Sequence, residues 1–203
     1  MKFKISVLVL VFVFATNAQS ASSMTAKSVL DKAASKICSK SGSSASFTIS
    51  NTKLGKSSGT IYIKGNKFFA KIPAGMVWYN GKTQWTYIAA NEEVNITSPT
   101  KEQQQAINPM TFVYLYKKGY KATLNQKGNE YIVSMIGSNN KKNIGEMIIL
   151  IDKKTFAPTK IKMRQGDTWT DIVIRNFKQG NYPDSMFQFN AKDFPQAEII
   201  DLR

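Results

Sequence analysis

Histidine is absent from this 203-residue sequence, and cysteine occurs once, as Cys38. The commonest general base and the commonest zinc ligand are therefore missing, which excludes Ser-His-Asp, Cys-His and His-metal arrangements. Catalysis would have to rest on carboxylates, lysine or tyrosine. The 13 acidic residues are scattered, and only Glu92 and Glu93 are adjacent; on a strand those two point to opposite faces. A glycosidase-like pair drawn from distant positions stays open, but the expectation is a protein that is not an enzyme and needs no metal or cofactor. Cys38 permits no intrachain disulfide, so packing must supply the stability. Its expected place is as a small buried residue on a helix.

What the sequence does offer is apolar surface. The stretch "MVWYNGKTQWTY", residues 76–87, sets two tryptophans and two tyrosines around Asn80-Gly81. It can be an ordinary core, an aromatic platform for a polymer, or the wall of an apolar pocket. The choice depends on which faces its strands present.

The N-terminus bears on where the protein works. Lys2 and Lys4 precede an apolar run from Ile5 to Ala15, followed by Thr16-Asn17-Ala18. The run is shorter than the ~20 residues of a membrane span, so it reads as a secretory signal cleaved after Ala18 rather than as a retained anchor. Residues 1–18 are thus expected to be a signal peptide and 19–203 a single exported domain, large enough for a true core. Net charge is +15, and loss of Lys2 and Lys4 leaves +13. Outside the cytoplasm that charge suits anionic lipid surfaces or acidic proteins before nucleic acid, or else a solvated face that aids solubility.

Two-residue turn signals recur between alternating apolar and polar runs, the pattern of successive hairpins. They fall at Gly65-Asn66, Asn80-Gly81, Gly128-Asn129 and Gly166-Asp167. If each is a two-residue loop, residues that face one another share one side of the sheet. Ile63 then faces Phe68 and Ile61 faces Ala70; Leu124 faces Val133; Ile161 faces Ile172 and Met163 faces Thr170. Around Asn80-Gly81 the same arithmetic pairs Trp78 with Thr83 and Met76 with Trp85, with Tyr87 on that side too, and puts Val77, Tyr79, Lys82, Gln84 and Thr86 on the other. Each hairpin has one apolar face, so an antiparallel sheet covering something is expected. Further strands are expected at Ser46–Ser50, Glu93–Thr97, Gly145–Ile151 and Phe187–Phe189, about ten in all, enough to make the sheet curl. Val29, Leu30, Ala33, Ala34 and Ile37 recur at helical spacing between Thr25 and Cys38, predicting a helix with a narrow apolar face. From Pro99 to Lys118 the pattern predicts two short helices meeting at Asn108-Pro109, serving either as a plug for one barrel end or as a movable lid.

These elements, in this order, resemble the periplasmic carriers that ferry lipoproteins to the outer membrane, the LolA family. "GTIYIKGNKFF" from Gly59 is similar to the family's strand Gly-x-hydrophobic-x-hydrophobic-Lys-Arg-Pro-x-x-Phe, and "YNGKTQWTY" from Tyr79 to its Asp-Gly-Lys-x-x-Trp-x-Tyr hairpin. "NEEVNIT", "INPMTFVYL" and "DSMFQFNAKDFPQAEIIDL" are similar to its next strand, its Asn-Pro-led helix and its C-terminus. Two positions depart: where the family has an arginine that holds the lid and then a proline, this chain has Gly65 and Asn66.

The resemblance implies an incompletely closed antiparallel β-barrel with an N-terminal helix and short lid helices over an apolar cavity that takes acyl chains. Ile61, Ile63, Phe68, Met76, Trp78, Trp85, Tyr87 and Met163 are the candidates for the cavity wall, and Met110, Phe112 and Leu115 for the lid. It also implies a periplasmic monomer with acylated lipoproteins or other lipids as cargo, inner-membrane donor and outer-membrane acceptor machinery as partners, and no nucleic acid. Other readings on the same fold are a binding or sensing module for another hydrophobic ligand, and a barrel filled by its own side chains.

Overall fold

The structure, a computed structural model, describes residues 24–53, 55–100, 103, 115–138 and 144–203. Its first element is helix α1, Ala26–Ile37. Thr25 and Ser28 cap it reciprocally, each hydroxyl bonded to the other's backbone N–H, which satisfies two of the free donors at the helix start. Cys38 follows the last turn, half-buried. The expected face of Val29, Leu30, Ala33, Ala34 and Ile37 is buried.

Twelve strands follow among the described residues: β1 Ser43–Asn51, β2 Gly55–Lys64, β3 Lys67–Ile72, β4 Gly75–Tyr79, β5 Gln84–Ile88, β6 Glu93–Thr97, β7 Tyr120–Lys127, β8 Glu130–Gly137, β9 Glu146–Asp152, β10 Pro158–Gln165, β11 Thr168–Gln179 and β12 Glu198–Asp201. They form one sheet in the order β12-β6-β5-β4-β3-β2-β1-β11-β10-β9-β8-β7. Neighbours are antiparallel except β12, which runs parallel to β6. The edges β12 and β7 do not pair with each other, so the sheet is an incompletely closed barrel, mainly β with one N-terminal helix, as expected. The chain from β6 to β7 passes from near one edge to the other.

Three hairpins have the register read from their turns: Ile63 opposite Phe68, Leu124 opposite Val133, and Ile161 opposite Ile172. The fourth is shifted. Trp78 pairs with Trp85 and Met76 with Tyr87, because four residues, Asn80 to Thr83, make the loop. Asn80 sets that length: its Oδ1 accepts from the N–H of Lys82 and of Thr83 at 3.0 and 2.8 Å, an Asx-type turn. A shift of two keeps the parity, so Met76, Trp78, Trp85 and Tyr87 do share a face. Phe187–Phe189 is not a strand; a 3-10 turn covers Asp184–Phe187. The last strand is instead β12.

The inner face carries the main core. Val133, Met135, Met147, Ile149, Ile151, Ile161 and Met163 project from alternate positions of β8 to β10 and pack with the apolar face of α1. Ser43 ties this layer together: its hydroxyl, buried, donates to the Ile37 carbonyl at 2.6 Å, linking the end of α1 to the start of β1. A 3-10 turn, Leu115–Lys118, packs Leu115 into the same core, and the Tyr116 hydroxyl donates to Asp31 on α1.

The outer face is covered by the segment between β11 and β12. Tyr182 meets Tyr62 edge-on at 5.2 Å and donates to Ser44 Oγ at 2.8 Å. Asp184 sits between Lys64 and Lys67 at 2.9 and 2.8 Å. Phe189 and Phe194 then reach Trp78, both at 5.6 Å, before the chain joins β6.

Candidate functional site

Where α1 does not cover it, the inner face encloses a cavity of about 590 Å³. Its wall comes from β1 to β5, β10 and β11 and from Ile37 at the end of α1. Alternation explains the membership. Phe47 and Ile49 of β1 lie opposite Ile174 and Ile172 of β11. Ile61 and Ile63 lie opposite Ala70 and Phe68, and Ala70 and Phe68 opposite Val77 and Tyr79. All of these except the buried Tyr79 line the cavity, and among the described residues none that lines it is charged. The polar groups in the wall are Ser43, Ser44, Ser57, Gln84 and Thr86. Gln84 donates from Nε2 to Thr86 Oγ1 at 3.1 Å, while its buried Oε1 has no partner among the described residues. The space suits a long apolar ligand, each buried methylene contributing ~0.8 kcal/mol. The carboxylates Glu92 and Glu93 stand apart, at the β5–β6 turn and the start of β6, and neither lines the cavity.

Of the eight residues expected in the wall, the structure brings four together there: Ile61, Ile63, Phe68 and Met163. Met76, Trp78, Trp85 and Tyr87 are corrected to the outer face. Trp78 is 7% exposed; Phe69 stacks on it at 5.3 Å, and Phe189 and Phe194 close over it. Tyr87 lies 4.8 Å from Phe194. The reason is that β4 is apolar on both sides, with Val77 and Tyr79 inward and Met76 and Trp78 outward, while β5 turns Gln84 and Thr86 inward and Trp85 and Tyr87 outward. Periodicity groups the residues but does not say which group faces in. The missing signal was the turn Pro73-Ala74. Paired about it, Phe68 meets Tyr79 and Phe69 meets Trp78, which carries the inner face from Ile63 through Phe68 to Tyr79 and puts the tryptophan outside. Phe47, Ile49, Ala70, Ile72, Val77, Ile172 and Ile174 also line the wall; the same alternation in their strands pointed to them.

Of the expected lid, Met110 and Phe112 lie outside the described residues. Leu115 is 2% exposed in the core beside α1 and is not part of the cavity wall. The position of the family's arginine, Gly65, has φ +57, a left-handed conformation that glycine adopts freely and arginine does not. Here Lys64 ends β2, and its ammonium serves the outer segment through Asp184 and the Tyr182 carbonyl, both within 2.9 Å.

The electrostatics gather outside. Hydrogen bonds from Lys67 and then Lys64 pull the Asp184 carboxyl down to about 2. Asp31 is lowered by the Tyr116 hydroxyl and then Lys27, and burial raises the Tyr120 phenol. Lys64, Lys67 and Lys71 on β2 and β3 are separated from Lys160, Lys162 and Arg164 on β10 by β1 and β11, and β11 itself carries Arg175 and Lys178. Lys160 pairs with Asp171 at 2.8 Å, Arg164 with Glu146 at 3.6 Å, and Lys162 lies over the Trp169 ring.

A family model described as outer membrane lipoprotein carrier protein LolA matches residues 14–167. No curated protein sequence matches the chain. Among solved structures, an uncharacterized conserved protein from Thermus thermophilus is similar at TM-score 0.60 and 12% identity, over 87% of this chain and 98% of that one. A LolA superfamily protein from Nitrosomonas europaea is similar at TM-score 0.45 and 14% identity, over 82% and 99%. An outer membrane lipoprotein-sorting protein domain from Vibrio parahaemolyticus, described as putative, is similar at TM-score 0.46 and 8% identity, over 80% and 95%.

Proposed function

Since the chain belongs to the LolA family of outer membrane lipoprotein carriers, we propose that it is a non-catalytic periplasmic carrier that holds acyl chains of lipoproteins in its inner-face cavity and delivers them toward the outer membrane. One observation carries this reading: a cavity of about 590 Å³ whose wall is mainly apolar and, among the described residues, uncharged, within the size range of specific small-molecule sites. A barrel filled by its own side chains would not leave that space. The signal-like run at Ile5–Ala15 supports export, and the family supports a donor at the inner membrane and an acceptor at the outer one.

A second reading, a binding or sensing module for another lipid, is favoured by Gly65 and Asn66, which replace the arginine and proline of the family's strand. The test is to purify the protein from its native compartment and analyse what accompanies it by mass spectrometry. Lipoproteins in the preparation support carriage. Free lipid without lipoprotein favours the second reading. Neither, together with failure to take up a hydrophobic dye, refutes both.

A further inference from the structure

On the strands, cations meet carboxylates: Lys64 and Lys67 share Asp184, Lys160 has Asp171 and Arg164 has Glu146. Helix α1 differs. Its solvent side carries Lys27, Lys32 and Lys36, and its one acid, Asp31, is taken by Lys27 at 2.9 Å, Lys117 at 3.8 Å and the Tyr116 hydroxyl. Among the described residues no carboxylate pairs with Lys32 or Lys36. The Lys32 ammonium lies instead over the Phe156 ring, 4.7 Å from its centre; Phe156 stacks on Tyr131 at 6.0 Å, and Lys153 lies 5.6 Å over that second ring. A ring holds an ammonium in place without cancelling its charge. Phe156 takes this position in the β9–β10 turn at φ +58, a left-handed conformation rare for a bulky residue, fixed by its N–H on the Asp152 carbonyl at 2.9 Å. Lys154 stands exposed in the same turn. The carboxylates nearby are occupied, Asp152 by the N–H groups of Lys154 and Thr155 and Glu130 by the Thr159 hydroxyl. From α1 to the turn the surface is therefore continuous and positive.

We propose that this face, the solvent side of α1 with the β9–β10 turn, docks the protein on a bilayer of anionic phospholipid. The cations are lysines, with no arginine among them. Compact, hydrated ammoniums suit a diffuse layer of phosphates, whereas the fixed carboxylates of an acidic protein favour the bidentate arginine fork. Protein interfaces also centre on large side chains that enter a partner's pocket, and the exposed large apolar residues, Ile136, Ile199 and Leu202, lie on β8, on β12 and after it rather than here. Docking is thus electrostatic and superficial, with the aromatic pair holding two of the ammoniums outward. It stands independently of acyl carriage, because none of these lysines lines the cavity. Its use to a carrier follows from Ile37, which ends α1 and belongs to the cavity wall: a bilayer against α1 lies about one helix diameter, ~10 Å, from that wall.

The experiment is cosedimentation of the mature chain with vesicles of phosphatidylcholine alone or mixed with phosphatidylglycerol, over a range of salt. The protein should bind the anionic vesicles only, and less as salt shortens the reach of its charges. A lysine at an anionic surface contributes about fivefold, so changing Lys32, Lys36, Lys153 and Lys154 together to Gln should lower partitioning by about two orders of magnitude or more. The same loss of net charge placed elsewhere, as Lys53→Gln, Lys56→Gln, Lys71→Gln and Lys192→Gln, should cost no more than about fivefold. If the first variant is unstable, the exposed pair Lys36→Gln and Lys154→Gln should still cost roughly 25-fold. Equal binding to both kinds of vesicle, equal losses in the two four-site variants, or no binding to anionic vesicles overturns the proposal. Binding of polyglutamate through the four lysines without vesicle binding overturns it in favour of an acidic protein partner. Uptake of a hydrophobic dye, read in the same samples, should be the same in every variant; its absence from the wild type refutes acyl carriage and leaves docking standing.

Discussion

Replacing Phe194 with alanine separates the two faces of the sheet. The ring lies 5.6 Å from Trp78, 4.8 Å from Tyr87 and 5.5 Å from Phe189, all outside the barrel. Full burial of a phenylalanine contributes about 1.5–3 kcal/mol, and Phe194 is half-buried, so the area it covers accounts for roughly half of that. Three aromatic contacts add about 0.5–1.5 kcal/mol each when isolated, less when they share one cluster. The expected loss is therefore about 2–3 kcal/mol, a fall in Tm of roughly 5–10 °C for a domain of this size. Urea unfolding followed by tryptophan fluorescence measures it, since Trp78 reports the same cluster. Acyl binding by the folded protein should be unchanged, because Phe194 and its ring partners Trp78, Tyr87 and Phe189 are not among the residues of the cavity wall. If Phe194→Ala retains its stability but loses acyl affinity, the assignment of Trp78 and Tyr87 to the outer face is refuted.

On the inner face, Ala70→Phe should fill cavity space and weaken acyl uptake at least tenfold in dye displacement, with little change in Tm because the added ring enters a void. Leu115→Ala should cost about 2–5 kcal/mol, the range for a buried leucine, in chemical denaturation, whereas a leucine in a mobile cover would cost far less. The Asp184 carboxyl is pulled down to about 2 by Lys67 and Lys64. The stabilisation from this group is present above its unfolded value near 4 and is lost as pH falls through about 2. Asp184→Asn should flatten that part of the acid-unfolding profile between pH 4 and 2; an unaltered profile shows that the Lys64 and Lys67 pairing does not anchor the outer segment.

Much of the architecture is legible in the sequence because local rules decide it. Glycine turns at Gly65, Gly128 and Gly166 set the register of three hairpins, and the spacing of Val29, Ala33 and Ile37 sets the buried face of α1. The Asn80 loop fails for a local reason as well: its side chain closes a four-residue turn that the Asn-Gly pair disguises. The site was half legible. Met163 was found because β10 is apolar on one side only, and Ile61, Ile63 and Phe68 because the turn at Gly65 pairs them on one side, although Phe69 makes the other side of β3 apolar too. The aromatics of β4 and β5 were misplaced because a partner over 100 residues later covers them, and alternation carries no information about a distant partner. β12 escaped notice for a related reason: its four residues, Glu198–Asp201, are half charged, and they become a strand only because the edge of β6 is there to receive them.

That docking of β12 on β6 also sets an order of events. Glu198 N–H bonds to the Glu92 carbonyl and Leu202 N–H to that of Ile96, each at 2.9 Å, so the last residues of the chain satisfy backbone groups made about a hundred residues earlier. At ~5–20 residues per second of synthesis, the β6 edge waits roughly 5–20 s for its partner, longer if threading through a membrane is slower. An unpaired edge is where chains join one another by mistake. A truncation before Glu198 would make that interval permanent, leaving a barrel whose inner cavity is complete and whose flank is open to a neighbouring copy.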